Sequence, residues 1–283
     1  RSGTDWTRTH YFKASTIEQG DYFGWSVALS GDGDTLAVGA RYEQSKATGI
    51  GGAETDNSAN NSGAVYIFTR VARPDWSDPV YVKASNTDAD DEFGYSVALS
   101  TDGKTLAVGA PGEESAIVGD PGNNDVNGSG AVYVFTQSDA GAWSQHSYLK
   151  APNVDNADEF GYSVALSASE GGDARAGGTL VVGAHREDGS ETGVLGEAAV
   201  SSGANLSGAA YVFLREGSQW LPQAYLKASN TSGNDRLGSA VALSRDGDTL
   251  AVGAPREDSA ATSIGGDGTD AGSDYDAGAV YLY

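Results

Sequence analysis

The sequence predicts an all-β fold: a β-propeller of four blades, four antiparallel strands to a blade, in a single domain spanning residues 1–283. Two observations carry this. Four kinds of segment recur in fixed order along the whole chain, and they alternate large and small residues with the period of two that marks a strand. No stretch shows the longer apolar period of an amphipathic helix.

Strand a reads FGWSVALS from Phe23, FGYSVALS from Phe93 and Phe160, and LGSAVALS from Leu237. Phe93, Tyr95, Val97 and Leu99 alternate with Gly94, Ser96, Ala98 and Ser100, so one face is large and the other small. The small face lets neighbouring backbones approach closely near a crowded axis. An Asp-Gly or Gly-Gly turn, such as DGDT at 32–35, leads into strand b, TLAVGA or TLVVGA. Such a turn between apolar runs predicts a hairpin, because it needs positive φ. A long glycine-rich loop precedes strand c, which reads GAVYIF, GAVYVF, GAAYVF or GAVYLY. Strand d follows in a fixed frame: Trp76, Trp143 and Trp220 stand five residues before a tyrosine and seven before a lysine.

The same frame opens the chain at Trp6, as WTRTHYFKAS, ahead of any strand a. Antiparallel four-stranded units repeated about a ring make a propeller, and an unclosed ring exposes unpaired edges. The opening segment is therefore expected to be strand d of the last blade, pairing with GAVYLY and sealing the ring. The blades are then approximately 16–85, 86–152, 153–229, and 230–283 completed by 1–15.

A chain of this length buries enough surface to need neither a disulfide nor a metal for folding, and it has no cysteine. It also has no methionine and begins with Arg1, so it is expected to be a processed product or part of a larger surface protein. No apolar run is long enough to span a membrane. The net charge of −22, from 39 acidic and 17 basic residues, argues against nucleic acid and anionic membranes as partners. It favours cations, a basic partner or a salty medium, where self-repulsion is screened.

FGYSVALSTDGKTLAVGAP followed by GAVYVF resembles the FG-GAP repeat, which builds the propeller of integrin α chains and occurs in bacterial surface and secreted proteins. The resemblance covers all four units. It implies an extracellular ligand-binding or adhesion module, often associated with calcium. One feature departs from the integrin pattern, where the a–b turn carries an Asp-rich calcium loop. Here that turn is only SGDGDT, STDGKT or SRDGDT. Asp32, Asp34, Asp102, Asp246 and Asp248 offer too few oxygens per turn for calcium and are read as turn formers.

The candidate site residues lie in the d–a and b–c loops, which a propeller places on one face. Asp21, Asp91, Asp158 and Asp235 stand two residues before Phe or Leu, and Glu43, Glu113, Glu187 and Glu257 three residues after the Gly-Ala of strand b. Two readings stay open: each acid caps the backbone of its own turn, or acids of adjacent loops hold Ca²⁺. Asp267, Asp270 and Asp274 form a second candidate calcium group in the last loop, beside Asp276. The tryptophans ahead of strand d are expected to pack on the blade edge rather than stack on sugars. His10, His146 and His185 fall in no hydrolase or nucleotide motif, so no catalytic residue is assigned and the chain is read as a non-enzyme. The leading expectation is an extracellular module that binds a protein or glycan through its acidic loop face. A lectin and a polysaccharide-acting enzyme are the alternatives.

Overall fold

The computed structural model describes residues 6–72, 74–116, 123–167, 178–196, 201–261, 264–265 and 276–283. They form four antiparallel sheets, one per repeat, with no helix among them. The first sheet holds β1 (Phe23–Leu29), β2 (Thr35–Ala40), β3 (Ala64–Ala72), β4 (Asp75–Trp76) and β5 (Val80–Val82). Both β4 and β5 pair with β3, so they are two pieces of one strand d. The second sheet is β6 (Ser96–Leu99), β7 (Thr105–Ala110), β8 (Ala131–Gln137) and β9 (Trp143–Leu149). The third is β10 (Ser163–Leu166), β11 (Thr179–Ala184), β12 (Val194–Leu195), β13 (Ala209–Glu216) and β14 (Gln219–Leu226), in which β12 adds an outer edge on β14. The fourth has β15 (Ala240–Leu243), β16 (Leu250–Ala254) and β17 (Ala279–Leu282).

The a–b hairpins turn as their residues dictate. Gly33, Gly103 and Gly247 have φ of 74°, 69° and 77°, a region open to glycine. Asp32 accepts hydrogen bonds from Ser30 Oγ (2.6 Å) and the Asp34 amide (2.9 Å), and Asp102 and Asp246 repeat the pattern. These aspartates are turn formers, as expected.

Blades stack through strands a and b. Ser26 Oγ donates to the Gly94 carbonyl of the next blade at 2.7 Å, Ser96 to Gly161 at 2.7 Å and Ser163 to Gly238 at 2.8 Å. A Cβ on Gly39, Gly109 or Gly183 would fall within 2.1 Å of those same carbonyls, so each of these positions admits only glycine. Three apolar cores lie between successive blades, containing Phe93 and Leu106, Phe160 and Leu180, and Leu237 and Leu250 respectively. Trp143 (8 % exposed) and Trp220 (6 %) are buried within the first two, which supports packing over sugar stacking for them.

The expected ring closure is not formed. Residues 6–15 make no strand, and the fourth sheet ends at β17 with three strands. The opening segment instead rests on blade 1. Phe12 packs edge-on against Phe68 (4.9 Å) and Trp76 (5.3 Å), and Ala14 is buried with Val38, Tyr66 and Tyr81. Val82 and Ala84 make the equivalent contacts on blade 2, and Leu149 and Ala151 on blade 3. The segment thus fills the slot of a preceding blade's strand d without bonding to a strand c. The four sheets are the four blades of the expected β-propeller; among the described residues no apolar core joins blade 4 to blade 1.

Candidate functional site

The d–a and b–c loops do converge on one face, and they interlock. Backbone amides of Asp90, Glu92 and Phe93 donate to the carbonyls of Asn60, Asn61 and Ser62. Ala157, Glu159 and Phe160 repeat the ladder on Asn127, Gly128 and Ser129, and Asn234, Arg236 and Leu237 on Asn205, Leu206 and Ser207. The ladder holds Glu92, Glu159 and Arg236 at positive φ of 56–58°, and Tyr22, at the same position of the first loop, has a φ of 56°. Four loops keep this costly conformation at the same position.

Beneath the loops lie the recurring acids, all buried. Glu43, Glu113, Glu187 and Glu257 are 1–2 % exposed. In three blades the glutamate is the centre of one network. Glu113 Oε2 accepts from Lys150 Nζ (2.8 Å) and the Ser115 amide (3.1 Å), while Oε1 accepts from Tyr148 Oη (2.8 Å) and Asn86 Nδ2 (3.1 Å). Lys83 pairs with Glu43 at 2.8 Å and Lys227 with Glu187 at 2.7 Å. Each lysine also donates to a serine two residues ahead of strand c, Ser62, Ser129 or Ser207. Burial pulls all three lysines below their ordinary pKa, against the raising effect of their glutamates. The lysine of strand d thus neutralises the glutamate of its own blade, and the pair pins the b–c loop to the blade's outer edge.

Asp91 and Asp158 stand in the field of these glutamates. Burial, then Glu113 among other acids, raises Asp91 to about 8, and burial with Glu187 raises Asp158 to about 7. Asp21 is raised by burial and Glu43. Asp91 Oδ2 caps the Asp88 amide and Asp235 Oδ2 the Ser232 amide, both at 2.8 Å, which is the capping expected of the first reading. For calcium the fit is incomplete. The oxygens of Glu43, Glu113 and Glu187 already face a buried ammonium, and no three described acids stand close enough to share an ion. Asp158 Oδ2 has no hydrogen-bond partner and borders a cavity of about 80 Å³ with Asp155 and Asp188. Asp267, Asp270 and Asp274 lie outside the described residues.

A second constellation on the same face was not singled out by the sequence motifs. A cleft of about 400 Å³ opens where the innermost strands begin, lined by Arg41, Glu92, Tyr95, Glu159, Tyr162 and Arg186 among others. Its two tyrosines stand in a longer aromatic series: Trp25 to Tyr95 at 5.7 Å, Tyr95 to Tyr162 at 4.9 Å and Tyr162 to His185 at 3.8 Å between ring centres, with Trp25 and His185 beside the cleft. The Arg41 guanidinium lies 3.6 Å from the Trp25 ring centre and 3.6 Å from Glu92, and Arg186 bonds Glu159 at 2.6 Å. Burial raises the pKa of Glu92 and Glu159 while the arginines pull it down, and burial together with Arg236 and Arg186 pushes that of His185 down to about 3.

A signal for this cleft was available in the repeats themselves. The glutamate, tyrosine and lysine of the network are the same from unit to unit, whereas the residue after Phe-Gly or Leu-Gly is Trp25, Tyr95, Tyr162 or Ser239. The residue before Phe or Leu is Tyr22, Glu92, Glu159 or Arg236. Scaffold positions repeat because each blade has the same packing to solve; rim positions differ because the fold leaves them free.

No curated protein matches the chain. Among solved structures it is similar to Saccharomyces cerevisiae Sqt1 at 9 % identity, with a TM-score of 0.43 over 86 % of this chain and 44 % of that one. It is similar to Kuenenia stuttgartiensis hydrazine synthase at 13 % identity (TM-score 0.41, 86 % and 45 %). The periplasmic gluconolactonase of Pseudomonas aeruginosa is similar at 16 % (TM-score 0.34, 80 % and 64 %). The chain spans less than two thirds of each. The sequence model of the FG-GAP repeat matches residues 6–68, 76–135, 143–213 and 220–283, each stretch opening with a strand d frame and ending on a strand c. Through these four repeats and the blades they build, the chain belongs to the FG-GAP repeat family.

Proposed function

We propose that this protein is a glycan-binding module of an extracellular surface protein, and that its ligand seats in the cleft lined by Tyr95 and Tyr162. The observation that carries the reading is the pairing of stacked tyrosines with Arg–Glu pairs along one cleft, at rim positions that change in blades 1 and 4. Loops on a rigid frame are where binding residues concentrate, and function belongs to such sites rather than to the fold. Aromatic faces offer stacking area for a sugar ring. The Arg41–Glu92 and Arg186–Glu159 pairs offer donors and acceptors side by side and cancel each other's charge, which suits hydroxyl groups better than a free anion. A chain of net charge −22 repels polyanions as well.

The test is a panel of neutral oligosaccharides, screened with the parent and with Tyr95→Ala, and followed for product release. Binding that Tyr95→Ala weakens at least tenfold, without turnover, supports the module. Turnover would make the cleft an active site, and binding to no member would reject the glycan reading. Within the same proposal, calcium is narrowed to the cavity beside Asp158, whose free Oδ2 would bind it together with loop carbonyls and water. Support would be a larger rise in melting temperature with Ca²⁺ than with Mg²⁺ at matched ionic strength, since magnesium keeps its waters and demands a stricter shell.

A further inference from the structure

In blades 2 and 3 one buried carboxylate holds an amine and an amide together. Glu113 accepts from Lys150 Nζ on Oε2 at 2.8 Å and from Asn86 Nδ2 on Oε1 at 3.1 Å. Glu187 does the same with Lys227 on Oε2 at 2.7 Å and Asn153 on Oε1 at 3.3 Å. The two lysines and two glutamates are at most 3 % exposed, and both asparagines are half-buried. Each asparagine stands three residues after a strand d lysine, in Lys-Ala-Ser-Asn86 and Lys-Ala-Pro-Asn153, and reaches the glutamate of the blade that follows. The equivalent residue for the Lys83–Glu43 pair of blade 1 is Thr16, whose side chain has no amide.

A phenol completes each set. Tyr133 Oη donates to Asn86 Oδ1 at 2.6 Å, and Tyr211 Oη to Asn153 Oδ1 at 2.7 Å. Burial raises both phenols well above their ordinary pKa, so they stay protonated donors. Each bond polarises an amide carbonyl and sits where negative charge collects when a nucleophile adds to Cγ. Burial also lowers the lysines, which eases loss of a proton to the glutamate and makes the amine a nucleophile. An amine, an amide, a carboxylate touching both and a donor on the carbonyl oxygen are the reactants and the acid–base group of an amide exchange, already gathered in one place.

We propose that Lys150 and Asn86, and likewise Lys227 and Asn153, condense into isopeptide bonds within the folded chain, with Glu113 and Glu187 carrying the protons. The ion pairs described above are the state in which the chain folds, and condensation follows. Glu113 takes a proton from the lysine ammonium, and the free amine adds to Asn86 Cγ while Tyr133 holds the oxyanion at Oδ1. Glu113 then passes protons from the lysine nitrogen to Nδ2. The Nζ–Cγ bond forms, the Cγ–Nδ2 bond breaks and ammonia leaves. One proton stays on Glu113, so a neutral amide and a neutral acid replace the ion pair, and nothing is oxidised or reduced. Asn153 borders the cavity of about 80 Å³ beside Asp158, which gives ammonia a way out in blade 3. The sequence has no cysteine, and such a cross-link constrains the unfolded chain as a disulfide does.

The test is the mass of the full 283-residue chain after denaturation, compared with the mass of its sequence. Two bonds should leave it lighter by about 34 Da, about 17 Da for each ammonia lost. Digestion should give one branched peptide joining Lys150 to Asn86 and another joining Lys227 to Asn153. Asn86→Ser, at a half-buried position, and Glu113→Gln should each halve the deficit. Lys83→Arg should leave it unchanged, because Thr16 stands where the amide would be. A chain at its full sequence mass overturns the proposal. So does a deficit without branched peptides, since Asn127–Gly128 can lose ammonia alone by cyclising. A deficit that persists in Asn86→Ser/Asn153→Ser overturns it as well.

Discussion

Replacing Lys150 by methionine isolates the buried network. The ammonium leaves, and Glu113 stays 1 % exposed with Tyr148, Asn86 and the Ser115 amide as its remaining donors. Breaking a buried pair from one side costs about 3–5 kcal/mol, because it strands a charge away from water. With an unfolding entropy of ~2.1 cal/mol/K per residue over 283 residues, that loss lowers the melting temperature by about 5–8 °C for cooperative unfolding. Glu113→Gln strands the lysine in turn. The double variant Lys150→Met/Glu113→Gln buries no net charge, so it should be more stable than the summed single losses by about 2 kcal/mol. Calorimetry and urea titration of the four proteins give the cycle directly. A Lys150→Met loss under about 1 kcal/mol, or strictly additive losses, would refute the claim that these residues act as one buried unit.

Three further outcomes follow from the same contacts. Asp91 and Asp158 have folded pKa values of about 8 and 7 against an ordinary 3.8, so their contribution is complete at low pH and is lost as pH rises through 7 and 8. Melting temperature should therefore fall between pH 5 and 8, with a slope near 1.4 kcal/mol per pH unit for each group still held protonated, and Asp91→Asn should flatten it. Gly109→Ala would place a Cβ 2.0 Å from the Gly161 carbonyl and should cost about 1–3 kcal/mol in thermal unfolding, as overpacking does. Asp102→Ala removes the acceptor for Ser100 and Lys104 at an exposed turn and should cost no more than about 1 kcal/mol.

Most of the fold was legible because repeated units repeat their local signals. Period-two strands, Asp-Gly turns and the small face of strand a all became the elements they predict, with Ser26, Gly39 and their counterparts at the blade contacts. Closure was not legible. The frame WTRTHYFKAS marks a strand d of the last blade, yet the segment rests on blade 1 instead, and a frame says nothing about whether it pairs with β17. That depends on the rotation between blades, which small packing differences accumulate. The acids were legible as a recurring set but their role was not. The partner that engages Glu43, Glu113 and Glu187 is a strand d lysine about 40 residues away in sequence, supplied by the fold. The cleft escaped motif reading because Tyr95 and Tyr162 sit inside the FGYSVALS strand motif, where they read as part of its large face, and it is the series they form with Trp25 in space that sets them apart.

The central claim is that scaffold and rim are separate, the first holding the blades and the second holding the ligand. Calorimetric titration of the best-binding oligosaccharide into Tyr162→Ala and into Lys150→Met, both below their melting transitions, tests it most directly. Tyr162→Ala should lose at least tenfold in affinity with a melting temperature near that of the parent. Lys150→Met should bind as the parent does while melting several degrees lower. Parent-like affinity in Tyr162→Ala, or a loss confined to Lys150→Met, would contradict the account and move the binding site from the cleft to the acidic network beneath it.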